Sequence, residues 1–90
     1  MKKGDERDFL LSSKAKRGLW KLMLKLPELR SKIQILVTQH ETLAELCEAY
    51  EEASEMLSAI RLGRPINHAL FEEYDSICTG IEQDLINYCK

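Results

Sequence analysis

Glycine and proline are scarce, four and two in 90 residues. That scarcity excludes a turn-rich β-sandwich and a collagen-like repeat. The chain is also too short for a Rossmann dehydrogenase, a kinase or a barrel enzyme. The three cysteines, Cys47, Cys78 and Cys89, form no C-x-x-C pair. Their odd number and wide spacing argue against a disulfide scaffold or a structural zinc site, and for reduced thiols in a cytoplasm. No apolar run approaches the roughly 20 residues of a membrane span. Phe9-Leu10-Leu11 is short, and the stretch from Leu19 to Leu26 is interrupted by Lys21 and Lys25. Neither makes a secretory apolar region. The expected setting is cytoplasmic, with surface attachment as the remaining membrane option.

What is present is the composition of one globular domain: 44% apolar and 31% charged residues. The net charge of −2 hides an asymmetry. Residues 1–32 hold ten Lys/Arg and four Asp/Glu, a balance of +6. Residues 33–90 hold three (Arg61, Arg64, Lys90) and eleven, a balance of −8. This is a basic arm on an acidic body. Either the arm docks on its own body or a neighbour's, or it seeks an external anion.

Residues 1–12 read as a charged, frayed terminus, and 13–90 as a single all-α domain. A basic amphipathic helix spans 13–26, with Ser12 or Ser13 as its cap. Lys14, Arg17, Lys21 and Lys25 share one side, beside Gly18. Ala15, Leu19, Leu22, Met23 and Leu26 lie opposite, flanked by Trp20 and Leu24. Gly18 reads as a weak spot of about 1 kcal/mol. Pro27 ends this helix and opens the next, over 28–38. Thr38 with Glu41, or Thr42 with Glu45, fits a capping box. A break near His40 and one continuous helix over 28–62 both remain open. From 41 to 62, Leu43, Leu46, Cys47, Tyr50, Ala53, Leu57 and Ile60 form a stripe. Glu41, Glu45, Glu48, Glu52 and Glu55 line the other face. Gly63 is expected to stop this helix in the left-handed conformation, followed by Pro65. Asn67 caps a last helix over 66–88, striped by Leu70, Tyr74, Ile77, Cys78, Ile81, Leu85 and Tyr88. Gly80 marks either a close helix approach or a weak spot, and Lys90 suits the dipole at the helix end.

Two long helices joined by a short connection predict an antiparallel hairpin. With the turn centred near Arg64, Leu57 meets Phe71 and Leu70, Tyr50 meets Cys78 and Ile77, Cys47 meets Ile81, Leu43 meets Leu85, and His40 meets Tyr88. Apolar positions face apolar positions throughout. The expected fold is therefore all-α: this hairpin plus one or two shorter N-terminal helices, a three- or four-helix arrangement.

The pattern His40-x-x-Leu43-Ala44-x-Leu46-Cys47-x-x-Tyr50-x-x-Ala53, then Glu73-Tyr74 and Ile81-Glu82-x-x-Leu85, resembles that of small uncharacterised bacterial helical-hairpin proteins. The resemblance covers about residues 26–88 and rests mostly on helix-packing residues. In those proteins a proline often follows the histidine, where this chain has Glu41. The resemblance implies a bacterial cytoplasmic helical protein and carries no activity with it.

A di-iron bundle needs Glu-x-x-His motifs facing inward, and none occurs. Cys47, Cys78, Cys89, His40 and His68 have no short-spaced pair for zinc, so no metal or other cofactor is expected. Glu28-Leu29-Arg30-x-x-Ile33 resembles the opening helix of the small helical chorismate mutases. Those enzymes surround a dianion with several cations, whereas after Lys32 only Arg61 and Arg64 precede the last residue. Nucleophilic catalysis lacks a local set of nucleophile, base and orienting group.

The expectation is a non-enzymatic protein acting through helix-mediated protein–protein contact, as an adaptor or regulator. Its partner is a second copy, as a homodimer or higher, or another helical protein. The alternative is an anionic-surface binder, to membrane or nucleic acid, through the basic helix. The candidate interaction face is Lys14, Arg17, Trp20, Lys21 and Lys25. Burial of Trp20 favours the first reading and exposure the second.

Overall fold

A computed structural model describes residues 11–63 and 66–90. These residues form α1 (Ser13–Lys25), a 3-10 turn (Pro27–Leu29), α2 (Arg30–Val37), α3 (Glu41–Leu62) and α4 (His68–Cys89), with no strand among them. The all-α expectation therefore holds. α3 is the central element: α1 and α4 both pack against it, and α2 touches all three.

The core is built from the stripes of the amphipathic helices. Ala15, Leu19 and Leu22 of α1, Ile33 and Val37 of α2, Leu43, Cys47, Tyr50 and Ala53 of α3, and Cys78, Ile81, Leu85 and Cys89 of α4 are all buried in one cluster. Contacts between α3 and α4 are consistent with two long helices lying side by side. The Arg61 guanidinium sits 5.4 Å above the Phe71 ring. Tyr50 donates to Glu82 at 2.6 Å. The His40 and Tyr88 rings are 6.4 Å apart. Tyr50 thus reaches one turn beyond Cys78, because its hydroxyl seeks an acceptor at the edge of the core. The turn around Arg64 and Pro65 lies outside the described residues.

Ser12 and Asn67 cap helices as the sequence patterns suggest, whereas the other ends use different groups. Residues 1–10 of the expected frayed arm lie outside the described residues. Leu11 packs against the core, and Ser12 is the N-cap of α1, accepting from the Ala15 N–H at 3.0 Å. The chain leaves helical geometry at Thr38–His40, yet neither threonine caps α3. His40 occupies the N-cap position with no side-chain hydrogen bond, and Thr38 donates back to the Ile35 carbonyl at 2.7 Å. Gly63 has φ −77 and ψ 158, an extended exit rather than a left-handed one. Its N–H still closes the helix onto Ala59 and Ile60. The end of α4 is satisfied by a distant cation: Lys32 of α2 donates to the Cys89 carbonyl at 3.1 Å.

The two helical glycines have opposite surroundings. A methyl at Gly18 would lie 1.8 Å from the Cys47 carbonyl oxygen, so α1 crosses α3 backbone to backbone there. A methyl at Gly80 would have nothing within 4 Å. Gly80 is thus the weak spot and Gly18 the close approach. Gly80→Ala is expected to raise stability by about 0.5–1 kcal/mol, through lost freedom in the unfolded chain and better helix propensity. Urea melts of both proteins check this: an unchanged or lower midpoint contradicts it.

Candidate interaction site on the first helix

The basic side of α1 lies against carboxylates of its own chain. Lys14 reaches Glu52 at 2.8 Å. Arg17 and Lys21 converge on Glu51 at 3.1 and 2.8 Å. Lys25 approaches Glu82 at 3.8 Å. Ser12 adds a hydrogen bond to Glu48, and Lys21 another to Ser54 at 2.7 Å. The basic arm and acidic body recognised in the charge count thus meet within one molecule, at the described residues.

Glu51 is the centre of this seam, with a side chain only 2% exposed. Burial by itself raises its carboxyl pKa. The charges of Lys21 and Arg17 beside it outweigh that and hold the group below its ordinary range. Arg17 binds Oε2. Lys21 lies beside Oε1 while aiming its hydrogen bond at Ser54, which leaves Oε1 without an aligned donor. Sequence reading placed a row of glutamates from Glu41 to Glu55 in solvent and did not single out Glu51. Glu41, Glu45, Glu52 and Glu55 are exposed, but Glu48 is half-buried under Ser12, and Glu51 belongs to the interior.

Lys14 is raised above its usual pKa by its hydrogen bond to Glu52. Tyr50 is also raised, first by burial and then by its bond to Glu82. Burial pushes the Cys47 thiol up to about 12, so it stays protonated at neutral pH. All three cysteines are free and buried.

Trp20 is the member of the candidate face that points away from the seam. It is 61% exposed, and its neighbour one turn on, Leu24, is 57% exposed. Hydrophobic patterning had put both at the flank of the buried side. The helical turn explains the difference: at about 100° per residue Trp20 and Leu24 fall on the side away from Ala15, Leu19 and Leu22, the residues that seat α1 on α3.

Among the described residues, other polar groups form no comparable cluster. His40 and His68 are exposed. Among the described residues, no three His, Cys, Asp or Glu side chains converge as a metal site, and no helix is long and apolar enough to cross a membrane. An open depression between the start of α3 and the end of α4 is lined by Thr42, Leu46, Asp84, Asn87 and Tyr88. It holds one carboxylate and neither a cation nor a histidine. Comparison with protein-family models, with curated proteins and with solved structures finds no match for this chain.

Proposed function

We propose that the chain is a non-catalytic helical binding module, an adaptor or regulator that works through helix-mediated protein–protein contact. One observation carries the reading: the four cations that an anionic surface would need are engaged with carboxylates of this chain, while Trp20 and Leu24 stand on the outer surface of the same helix. An exposed indole beside an exposed leucine gains free energy when a partner covers it. The polar side chains with short contacts, from Ser12 to Lys25 and from Glu48 to Glu82, are engaged in holding helices together rather than in serving a reaction. The scaffold is an antiparallel hairpin of α3 and α4 with α1 and α2 laid across it. The contacts of Arg61, Tyr50 and His40 with Phe71, Glu82 and Tyr88 support that arrangement. Three buried thiols fit a cytoplasmic setting.

The exposure of Trp20 is the outcome expected of the second reading, an anionic-surface binder, since a buried indole has no access to a lipid interface. That reading requires Lys14, Arg17, Lys21 and Lys25 to leave their carboxylates. Two measurements on the full chain separate the readings. In the first, Trp20 emission is followed during titration with phosphatidylserine vesicles and with duplex DNA at low salt. Helix-mediated contact predicts an unchanged spectrum, and a salt-sensitive blue shift would favour the surface binder. In the second, immobilised wild type is compared with Trp20→Ser/Leu24→Ser for what each retains. Retention by the wild type alone supports the binding module, and equal retention by both overturns it.

A further inference from the structure

We propose that α1 is an arm that two copies of this chain can exchange, and that Pro27 is the lock that keeps it on its own chain. Leu19, Leu22, Leu26, Leu29, Ile33 and Leu36 follow one another at alternating steps of three and four. That is the period of one helix, and it runs through Pro27 without a change of phase. All six are buried or half-buried and belong to the core or pack against it. The structure nevertheless ends α1 at Lys25 and starts α2 at Arg30. The break is local. The Leu26 N–H still donates to the Leu22 carbonyl at 2.8 Å, an α-helical bond. The next such bond would run from residue 27 to the Met23 carbonyl, and proline has no N–H to make it. Leu26, the residue before that proline, takes φ −123 and ψ 65, outside the helical range. One residue thus bends a segment whose pattern is that of a straight helix over 13–37, about 37 Å long.

Straightening carries α1 off its own α3, because the bend at Leu26 is what folds it back. α1 rests chiefly on α3, so it leaves as a unit. The seat it vacates is selective. The Cys47 carbonyl lies so close that it accepts a glycine and no larger residue. The buried Glu51 carboxylate needs two cations, one on each side of that glycine. Arg17, Gly18 and Lys21 of a second copy meet both conditions, since they are the same residues. Each chain then seats its arm on the other, and the seam is kept in both halves of a two-fold dimer. The wild type stays closed for two reasons. A helix through Pro27 is disfavoured roughly a hundredfold in each chain. Its own α1 is also tethered beside the seat at high effective concentration.

Sedimentation equilibrium of the reduced full chain, from about 10 µM to about 1 mM, tests the lock. The wild type is expected to hold 10.4 kDa throughout. Pro27→Ala is expected to associate about ten-thousandfold more tightly, the hundredfold relief counting once in each chain, and to approach twice that mass. Pro27→Gly should associate about thirtyfold more weakly than Pro27→Ala, because glycine is the poorer helix former by about fivefold in each chain. Pro27 is exposed, and far-UV circular dichroism checks that both variants stay helical. The position of the arm is read by NMR on Pro27→Ala mixed from isotope-labelled and unlabelled chains. Filtered Overhauser contacts between Gly18 and Cys47 are expected across chains. A Pro27→Ala protein that stays monomeric overturns the exchange. So does a Pro27→Gly protein that associates equally well, or a dimer whose Gly18–Cys47 contacts stay within one chain. None of these outcomes involves Trp20, so the binding-module reading stands or falls on its own measurement.

Discussion

Gly18→Ala is expected to cost about 3 kcal/mol or more, lowering the melting temperature by roughly 12 °C or more in a domain this size. The new methyl would meet a backbone oxygen, not the end of a flexible side chain. Relief therefore requires α1 to lift from α3, which opens the packing of Ala15, Leu19 and Leu22 together. Alanine is the better helix former by about 1 kcal/mol, so the local preference and the tertiary contact pull in opposite directions. Thermal melts of Gly18→Ala beside Gly80→Ala decide which wins. Equal small shifts in both would mean that the close crossing does not exist.

The second large effect concerns Glu51 and is asymmetric. Replacing both of its cations, Arg17→Met with Lys21→Met, strands a buried carboxylate and is expected to cost about 3 kcal/mol at pH 7. Replacing the carboxylate instead, Glu51→Met, leaves Arg17 and Lys21 partly exposed and able to turn to water. That change is expected to stay within about 1 kcal/mol, and the triple replacement should recover most of the double's loss. The pH dependence differs between the proteins. In the wild type the Glu51 carboxyl is held low, so its contribution is present above its unfolded value, near pH 4.3, and is lost as pH falls through the folded one. In the double variant burial acts without cations and raises the group. The deficit should then be largest at neutral pH and shrink as acid protonates the carboxyl. Denaturant midpoints from pH 7 down to pH 4 check both signs. A double variant no weaker than Glu51→Met would rule out the buried ion cluster.

These two residues also mark where sequence reasoning stops. The helical stripes were legible because they are local: Leu43, Cys47 and Tyr50, or Cys78, Ile81 and Leu85, recur at helical spacing whatever they touch. A glycine inside a helix reads as lost propensity whether it faces water, as Gly80 does, or another backbone, as Gly18 does. Only the crossing of α1 and α3 distinguishes them. Glu51 differs from its neighbours Glu48 and Glu52 through an arginine 34 residues earlier in the chain, and periodicity carries no such information. Trp20 was placed with the apolar residues by its chemistry and is outside because of its place on the helix, turned away from Ala15 and Leu22. Of the candidate face, the four cations were legible as a group. Their separation from Trp20 was not, since it depends on which of two neighbouring arcs of α1 sits on α3.

The central place of α3 has a consequence for the newborn chain. Of its two packed neighbours, α1 precedes it in synthesis and α4 follows. Once Leu62 has been added, the side of α3 that packs on α4 still waits for that helix to be made. At roughly 5–20 residues per second, the stretch through Cys89 takes about 1–5 s. For that interval the growing polypeptide lacks the residues that cover one greasy flank of α3.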